Sequence, residues 1–160
     1  MILKYLAFAT LSILFTLIFI GGYVSATGVG LSCPDWPMCP AGLVPQEEFI
    51  IEYFHRTIAA LTGLMVIVTM IFTLKTQIAP RGMKIASIIG SLAVVGQITL
   101  GAFVIIERLH AILITIHLGL GITLFSMVLI TTLYAWKLDK NKTDNITNKN
   151  KSISESEKQY

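Results

Sequence analysis

Four long apolar runs, separated by polar or glycine- and proline-rich connections, set the pattern of this chain. They extend over about residues 5–24, 50–74, 85–106 and 111–136. Each run approaches the roughly 20 residues that an α-helix needs to cross a bilayer. The pattern therefore predicts an all-α integral membrane protein, with a bundle of four transmembrane helices in residues 1–136 and an outer loop over residues 25–49.

The composition agrees with this prediction. Of the 160 residues, 54% are hydrophobic and only 13% are charged, and the mean hydropathy of +0.76 lies far outside the range of soluble domains. No segment remains for a soluble domain, and a nucleic-acid partner is not expected. After residue 136 the chain is a mixture of Lys, Asn, Ser and Thr with little apolar content, which predicts a disordered cytoplasmic tail over residues 137–160.

The positive charges predict the orientation in the cell membrane, because Lys and Arg concentrate in the short cytoplasmic connections of membrane proteins. The first and third connections carry mainly acidic residues, so the 25–49 loop is expected outside and both termini in the cytoplasm. The Lys and Arg residues flank the other side of the helices: Lys4, Lys75, Arg81, Lys84, Lys137, Lys140 and Lys142.

Two histidines lie inside the apolar runs at a similar depth. With a rise of about 1.5 Å per residue, His117 lies roughly 10 Å below an outer boundary near His110, and His55 roughly 8–9 Å below Phe49. The second and fourth helices run in the same direction, so the two rings can face one another across the bundle. Two facing imidazoles are the arrangement that a six-coordinate haem iron needs. Small neighbouring residues would leave room for a flat macrocycle: Ala59, Gly119 and Gly121.

Other ligands and roles fit these histidines less well. Zinc requires three or four protein ligands, and no further candidate ligand is expected at the same depth. Either histidine alone also fits a buried hydrogen-bonding residue without chemistry. The matched depth on two parallel helices favours haem.

Further polar residues near the histidines are candidates for the site. Glu52 lies three residues before His55, about one turn nearer the outside on the same helix face, and an ionisable group at membrane depth is a functional-site hypothesis. Arg56 could bind a haem propionate or extend to lipid headgroups. Gln97 fits an interhelical hydrogen bond better than a ligand, and His110 fits a solvated loop residue better than a second outer ligand.

Cys33 and Cys39 both lie in the 25–49 loop, separated by five residues rich in proline. An exterior compartment permits oxidation, and such a pair can close a small disulfide ring if the geometry allows. Two interpretations stay open. The pair is either a structural disulfide or a redox-active pair that the strained loop makes reducible.

Several motifs along the chain resemble the heme A synthase family. The resemblance covers roughly Gly21 to Gly121, includes Gln97, and is closest to the short, four-helix form found in archaea, which is equivalent to one half of the eight-helix members. The matching segments are GGYV (21–24), GLSCPDWPMC (30–39), EYFHR (52–56), LTG (61–63), LGA (100–102) and HLG (117–119).

The resemblance implies a haem-dependent oxidoreductase that oxidises the C8 methyl group of heme O, by hydroxylation, to the formyl group of heme A for terminal oxidases. The bound haem would be heme b or the heme O substrate. By the same resemblance, His55 and His117 are the axial iron ligands, Arg56 and Gln97 bind the cofactor, Glu52 is the catalytic carboxylate, and Cys33 and Cys39 are the outer-loop pair.

The resemblance also implies partners. A homodimer or higher homo-oligomer would rebuild the two halves of a typical member by symmetry. Membrane lipid, heme O synthase and terminal oxidase assembly proteins are the other expected partners. Two positions depart from the family pattern: Ser25 replaces an arginine that would contact a propionate or the substrate, and Val29 replaces a serine.

Two other functions fit the same residues. A bis-histidine b-type cytochrome would bind haem with the same clamp and only transfer electrons. A membrane thiol oxidoreductase would use Cys33 and Cys39, although such proteins usually employ a Cys-x-x-Cys pair and a second pair.

Overall fold

The computed structural model describes residues 2–32 and 49–157 of the chain. Its four helices are α1 (Ile2–Thr27), α2 (Ile50–Lys75), α3 (Arg81–Ile106) and α4 (Ala111–Glu157), and a 3-10 turn follows α1 at Val29–Leu31. All four helices are long and apolar enough to span a membrane. The predicted all-α membrane protein with four transmembrane helices is confirmed.

The helices pack in a ring in chain order, with α1 against α2 and α4, and α3 against α2 and α4. Consequently α2 and α4 lie diagonally opposite each other and run in the same direction. We call the end formed by residues 28–32 and the α3–α4 turn (107–110) the cap end of the bundle. Large apolar side chains are exposed along all four helices, as expected for surfaces that face lipid.

The fourth helix differs from the sequence-based expectation. The apolar run predicts an end near residue 136 and disorder beyond it, whereas α4 continues to Glu157. Residues 122–157 contain neither Gly nor Pro, so no residue forces the helix to end. Thr143 and Thr147 donate hydrogen bonds to carbonyls one turn back, and Lys151 lies 3.9 Å from Glu155. The described side chains from Lys140 onward are solvent-exposed.

The core contains an apolar cluster and hydrogen-bonded hydroxyl groups. The side chains of Leu14, Val66 and Leu124 are each 4% exposed or less and share one apolar cluster. Between α1 and α2, the hydroxyls of Thr10 and Thr69 are hydrogen-bonded at 3.0 Å. Such small and hydroxylated residues allow close helix contact in a membrane, where apolar burial alone does not drive association.

At the end opposite the cap, Lys4 connects α1 to α4. Its ammonium group forms an ion pair with Asp139 and lies 4.9 Å and 5.2 Å from the ring centroids of Tyr5 and Trp136. The two rings contact each other edge to face, with centroids 6.5 Å apart. The first turn of α1 is therefore attached to α4 just beyond its apolar run.

At the cap end, two turns meet. Gly28 adopts a left-handed conformation (φ 73°) that starts the 3-10 turn, and Arg108 and Leu109 also have positive φ values, 51° and 63°. Gly30 is buried against Leu109, because a Cβ at Gly30 would lie 3.4 Å from Leu109 Cδ2. These two turns are therefore in contact at the cap end.

Candidate functional site

The two histidines lie on the diagonal helices α2 and α4, as the sequence predicts. Both rings are half-buried. In each ring Nδ1 is buried and has no hydrogen-bond partner among residues 2–32 and 49–157. Buried polar atoms normally have partners, so two unpaired imidazole nitrogens in one bundle are typical of a ligand site.

A glycine of the preceding helix lies against each ring. A Cβ on Gly21 of α1 would be 3.1 Å from Cε1 of His55, and a Cβ on Gly101 of α3 would be 3.6 Å from Cε1 of His117. Any larger side chain at Gly21 would displace the His55 ring. The glycines thus let each imidazole lie close to the neighbouring helix backbone.

The roles of Gly21 and Gly101 beside the rings are not predicted from the sequence, although the segments that contain them are similar. The segment GGYV at residues 21–24 recurs as GAFV at residues 101–104. Each histidine is also followed, twenty residues later, by a lysine, Lys75 after His55 and Lys137 after His117. Hairpins α1–α2 and α3–α4 thus share a G-x-x-V segment and a His–Lys spacing, and each histidine lies against the glycine of its own hairpin.

Glu52 is the centre of a charged network at the cap end. Its side chain is almost fully buried, with the residue 2% exposed. Oε1 pairs with the Arg56 guanidinium, and Oε2 accepts a hydrogen bond of 3.0 Å from the Ser32 hydroxyl. Glu52 is buried although it lies near the end of its helix, because Ser32 of the 28–32 turn contacts the carboxylate. A buried carboxylate needs such a cation and a hydrogen-bond donor.

Gln97 lies between α3 and α4. Its Nε2 donates a hydrogen bond of 2.9 Å to the backbone carbonyl of His117, while Oε1 is buried without a partner in the described part of the chain. A Cβ on Gly121 would lie 2.7 Å from Nε2 of Gln97. The small residue at Gly121 therefore accommodates Gln97, whereas Gly119 is exposed with open space around it.

Comparison with known protein families agrees with this site. The COX15-CtaA family, described as cytochrome oxidase assembly proteins, matches residues 4–48 and 44–154. The chain belongs to the COX15-CtaA family. The family match includes both histidines and the Glu52 network.

Relatives of this chain carry the name heme A synthase, and three of them illustrate the similarity. The protein of Geobacillus kaustophilus is 33% identical over 143 residues, which cover 86% of this chain and 45% of the relative. The protein of Halalkalibacterium halodurans is 37% identical over 119 residues, 71% of this chain and 40% of the relative. The protein of Bacillus licheniformis is 31% identical over 136 residues, which cover 83% of this chain and 45% of the relative. The chain spans less than half the length of these relatives.

The remaining residues that the sequence singles out lie outside the described ranges or near the cap end. Cys33 and Cys39 lie outside the described residues, so their pairing stays a prediction. His110 is exposed in the α3–α4 turn, and Ser25 is exposed near the end of α1. Arg56 forms an ion pair with Glu52, and its contact with a haem propionate or lipid headgroups stays a prediction.

Proposed function

We propose that this chain binds haem between His55 and His117 and takes part in the oxidation of heme O to heme A. The observation that carries the proposal is the pair of half-buried histidines on diagonal, parallel helices, each with an unpaired Nδ1 and each against a glycine. A haem iron held by two imidazoles requires two such rings on opposite sides of one cavity. The name of the relatives, heme A synthase, supports the choice of reaction.

The residues divide into ligands and supporting groups. His55 and His117 would hold the haem iron, whether the haem is a heme b cofactor or the heme O substrate. When bound, haem supplies the oxidising chemistry, and the protein supplies binding, orientation and electrostatics. The cap turns at residues 28–32 and 107–110 limit the access of water to this region.

Glu52 is the proposed catalytic carboxylate, with a role in moving protons beside His55. Arg56 and Ser32 occupy its two oxygens, so a proton reaches the carboxylate when one of these contacts opens. Arg56 then becomes available to a haem propionate. The variant Glu52→Gln would disprove the catalytic role if it bound haem and turned over heme O at the unchanged rate.

We also propose the arrangement in the cell membrane and the partners. The Lys and Arg residues favour cytoplasmic termini and an external Cys33–Cys39 loop, whose cysteines form a disulfide or a redox-active pair. A second copy of the chain would provide the second four-helix unit, and heme O synthase and terminal oxidase assembly proteins would act before and after this step. Alkaline phosphatase and green fluorescent protein fused after residue 157 test the orientation, because a cytoplasmic terminus gives fluorescence without phosphatase activity.

The decisive experiment is co-expression of the chain with a supply of heme O, followed by extraction of bound and total haem and identification of the porphyrins by mass spectrometry. Hydroxylated or formylated haem that disappears in His55→Ala and His117→Ala would support the proposal. The matched control is His110→Ala, since His110 is exposed in the α3–α4 turn. Bound but unaltered haem would favour the electron-transferring cytochrome, and a chain without haem would favour the thiol oxidoreductase.

A further inference from the structure

The amide of Gln97 is positioned to control His117. Its Nε2 donates to the His117 carbonyl at 2.9 Å, in addition to the N–H four residues later that this carbonyl receives within the helix. The bond joins α3 to the backbone carbonyl of His117, one of the two proposed ligands. It therefore restrains the height and the rotation of α4 at the level of His117.

The gap that admits the amide is created by Gly121. A Cβ there would lie 2.7 Å from Nε2 of Gln97, closer than real Cβ atoms approach, so any other residue at this position moves the amide. Gly121 is buried, whereas Gly119 is exposed and a Cβ added to it would meet nothing within 4 Å. The two glycines of α4 thus have different roles, and only one touches Gln97.

Gln97 and Gly101 lie on the same face of α3, because they are four residues apart. Helix side chains lean toward the N-terminal end of their helix, while the carbonyls point the other way. The His117 ring accordingly lies beside Gly101, and its carbonyl lies beside Gln97. These two residues of α3 hold His117 from the ring side and from the backbone side.

The same two residues each carry one unpaired buried polar atom. Gln97 Oε1 is a buried acceptor and His117 Nδ1 is a buried nitrogen, and neither has a hydrogen-bond partner within the described residues. A histidine that binds metal through Nε2 carries a proton on Nδ1 and usually donates it to an oxygen acceptor. The amide oxygen of Gln97 is an acceptor of this kind. The orientation of the amide is set because only its nitrogen can donate to the His117 carbonyl.

The His55 side lacks an equivalent amide. Gln97 lies four residues before Gly101, the glycine beside His117. The residue four positions before Gly21, the glycine beside His55, is Leu17. His55 instead has Glu52 and Arg56 nearby on its own helix. The two histidine positions are therefore different, one beside a neutral amide and the other beside a charged network.

We propose that Gln97 is a positioning residue that fixes His117 through its backbone carbonyl and, when His117 binds haem iron, accepts a hydrogen bond from Nδ1–H directly or through one water molecule. This inference rests on the proposed haem site. It differs from a direct contact between Gln97 and the cofactor, because Gln97 acts on the ligand and not on the haem.

The test compares wild type, Gln97→Leu, Gly121→Ala and the control Gly119→Ala, each purified with haem in detergent. Absorption and electron paramagnetic resonance spectra report axial ligation, and transfer to apomyoglobin reports haem release. In Gln97→Leu and Gly121→Ala we expect a high-spin fraction and haem affinity reduced about 10-fold or more, the range found for partners of metal-bound histidines. Gly119→Ala should match the wild type.

Two further measurements separate positioning from simple helix packing. The reduction potential of Gln97→Leu should rise, because a histidine without its Nδ1 acceptor is a less basic ligand. The double variant with Gly121→Ala should be no worse than Gln97→Leu, since both remove the same contact. A Gln97→Leu protein that melts at lower temperature but keeps low-spin haem, the wild-type affinity and the wild-type potential would overturn the inference. A wild-type protein without low-spin haem would instead overturn the haem site itself.

Discussion

The backbone of Gly21 in α1 lies directly against the imidazole of His55 in α2, so that a Cβ at Gly21 would approach Cε1 of the ring to 3.1 Å. The equivalent approach of Gly101 to His117 is looser, at 3.6 Å. Each proposed ligand is therefore positioned by the preceding helix, and the fit is tighter for His55 than for His117.

The tight contact predicts that Gly21→Ala weakens haem binding by about two- to tenfold. The added methyl group forces the His55 ring from its preferred rotamer, which costs about 0.5–1.5 kcal/mol. Haem titration with optical detection measures the effect. Gly22→Ala is the matched control, because a Cβ at Gly22 meets nothing within 4 Å and both changes gain the same helix propensity. Equal affinities of the two variants would contradict the prediction, and Gly101→Ala should be tolerated.

The Glu52 network predicts an order of stabilities. Ser32→Ala removes one hydrogen bond to a buried carboxylate and should lower the free energy of unfolding by about 1.5–3 kcal/mol. Arg56→Met leaves that charge without its cation and should cost more, about 3–5 kcal/mol. Unfolding in mixed micelles, followed by circular dichroism, gives these values.

Two variants make the test of this network specific. Combining Arg56→Met with Glu52→Gln should recover part of the loss, because no unpaired charge then remains. Ser25→Ala, at an exposed serine of the same region, should change stability by less than about 0.5 kcal/mol. If Arg56→Met were as stable as Ser25→Ala, the ion pair would have no structural role.

The hydroxyl contact between Thr10 and Thr69 predicts a modest coupling energy. Both residues are buried, at 0% and 4% exposure, and their oxygens are 3.0 Å apart. A double-mutant cycle with Thr10→Val and Thr69→Val should give a coupling of about 0.6 kcal/mol, the average for hydrogen bonds between membrane helices. A coupling near zero would mean that each hydroxyl is satisfied by its own helix.

The exposed end of α4 predicts tolerance to truncation. The described side chains from Lys140 onward are exposed, and the ion pair of Asp139 with Lys4 lies before this point. A chain that ends after Lys142 should keep the haem spectrum and the melting temperature of the full chain. Loss of either property would show that the extension contacts something that the bundle requires. The matched deletion to residue 138 should be less stable, because it removes Asp139.

The local pattern of the chain predicts much of the architecture and part of the site. Runs of apolar residues of membrane-spanning length specify the four helices, and the helical rise alone places His55 and His117 at a similar depth. The burial of Glu52 could not be obtained in this way, because it depends on where the 28–32 turn folds. The same limit applies to Gln97, whose side-chain type fits an interhelical bond without indicating that its acceptor is the His117 carbonyl.

By itself, the sequence determined the helix number, the membrane setting, the two histidines and the Glu52 spacing, because these follow from hydropathy and from the geometry of a single helix. The tertiary structure alone decided which backbone each imidazole touches, that Ser32 and Arg56 share the two oxygens of Glu52, and that Gly121 admits the Gln97 amide. These contacts join residues that are far apart in the chain or on different helices. They depend on the ring order and relative rotation of the helices, which close packing of small residues sets and hydropathy does not encode.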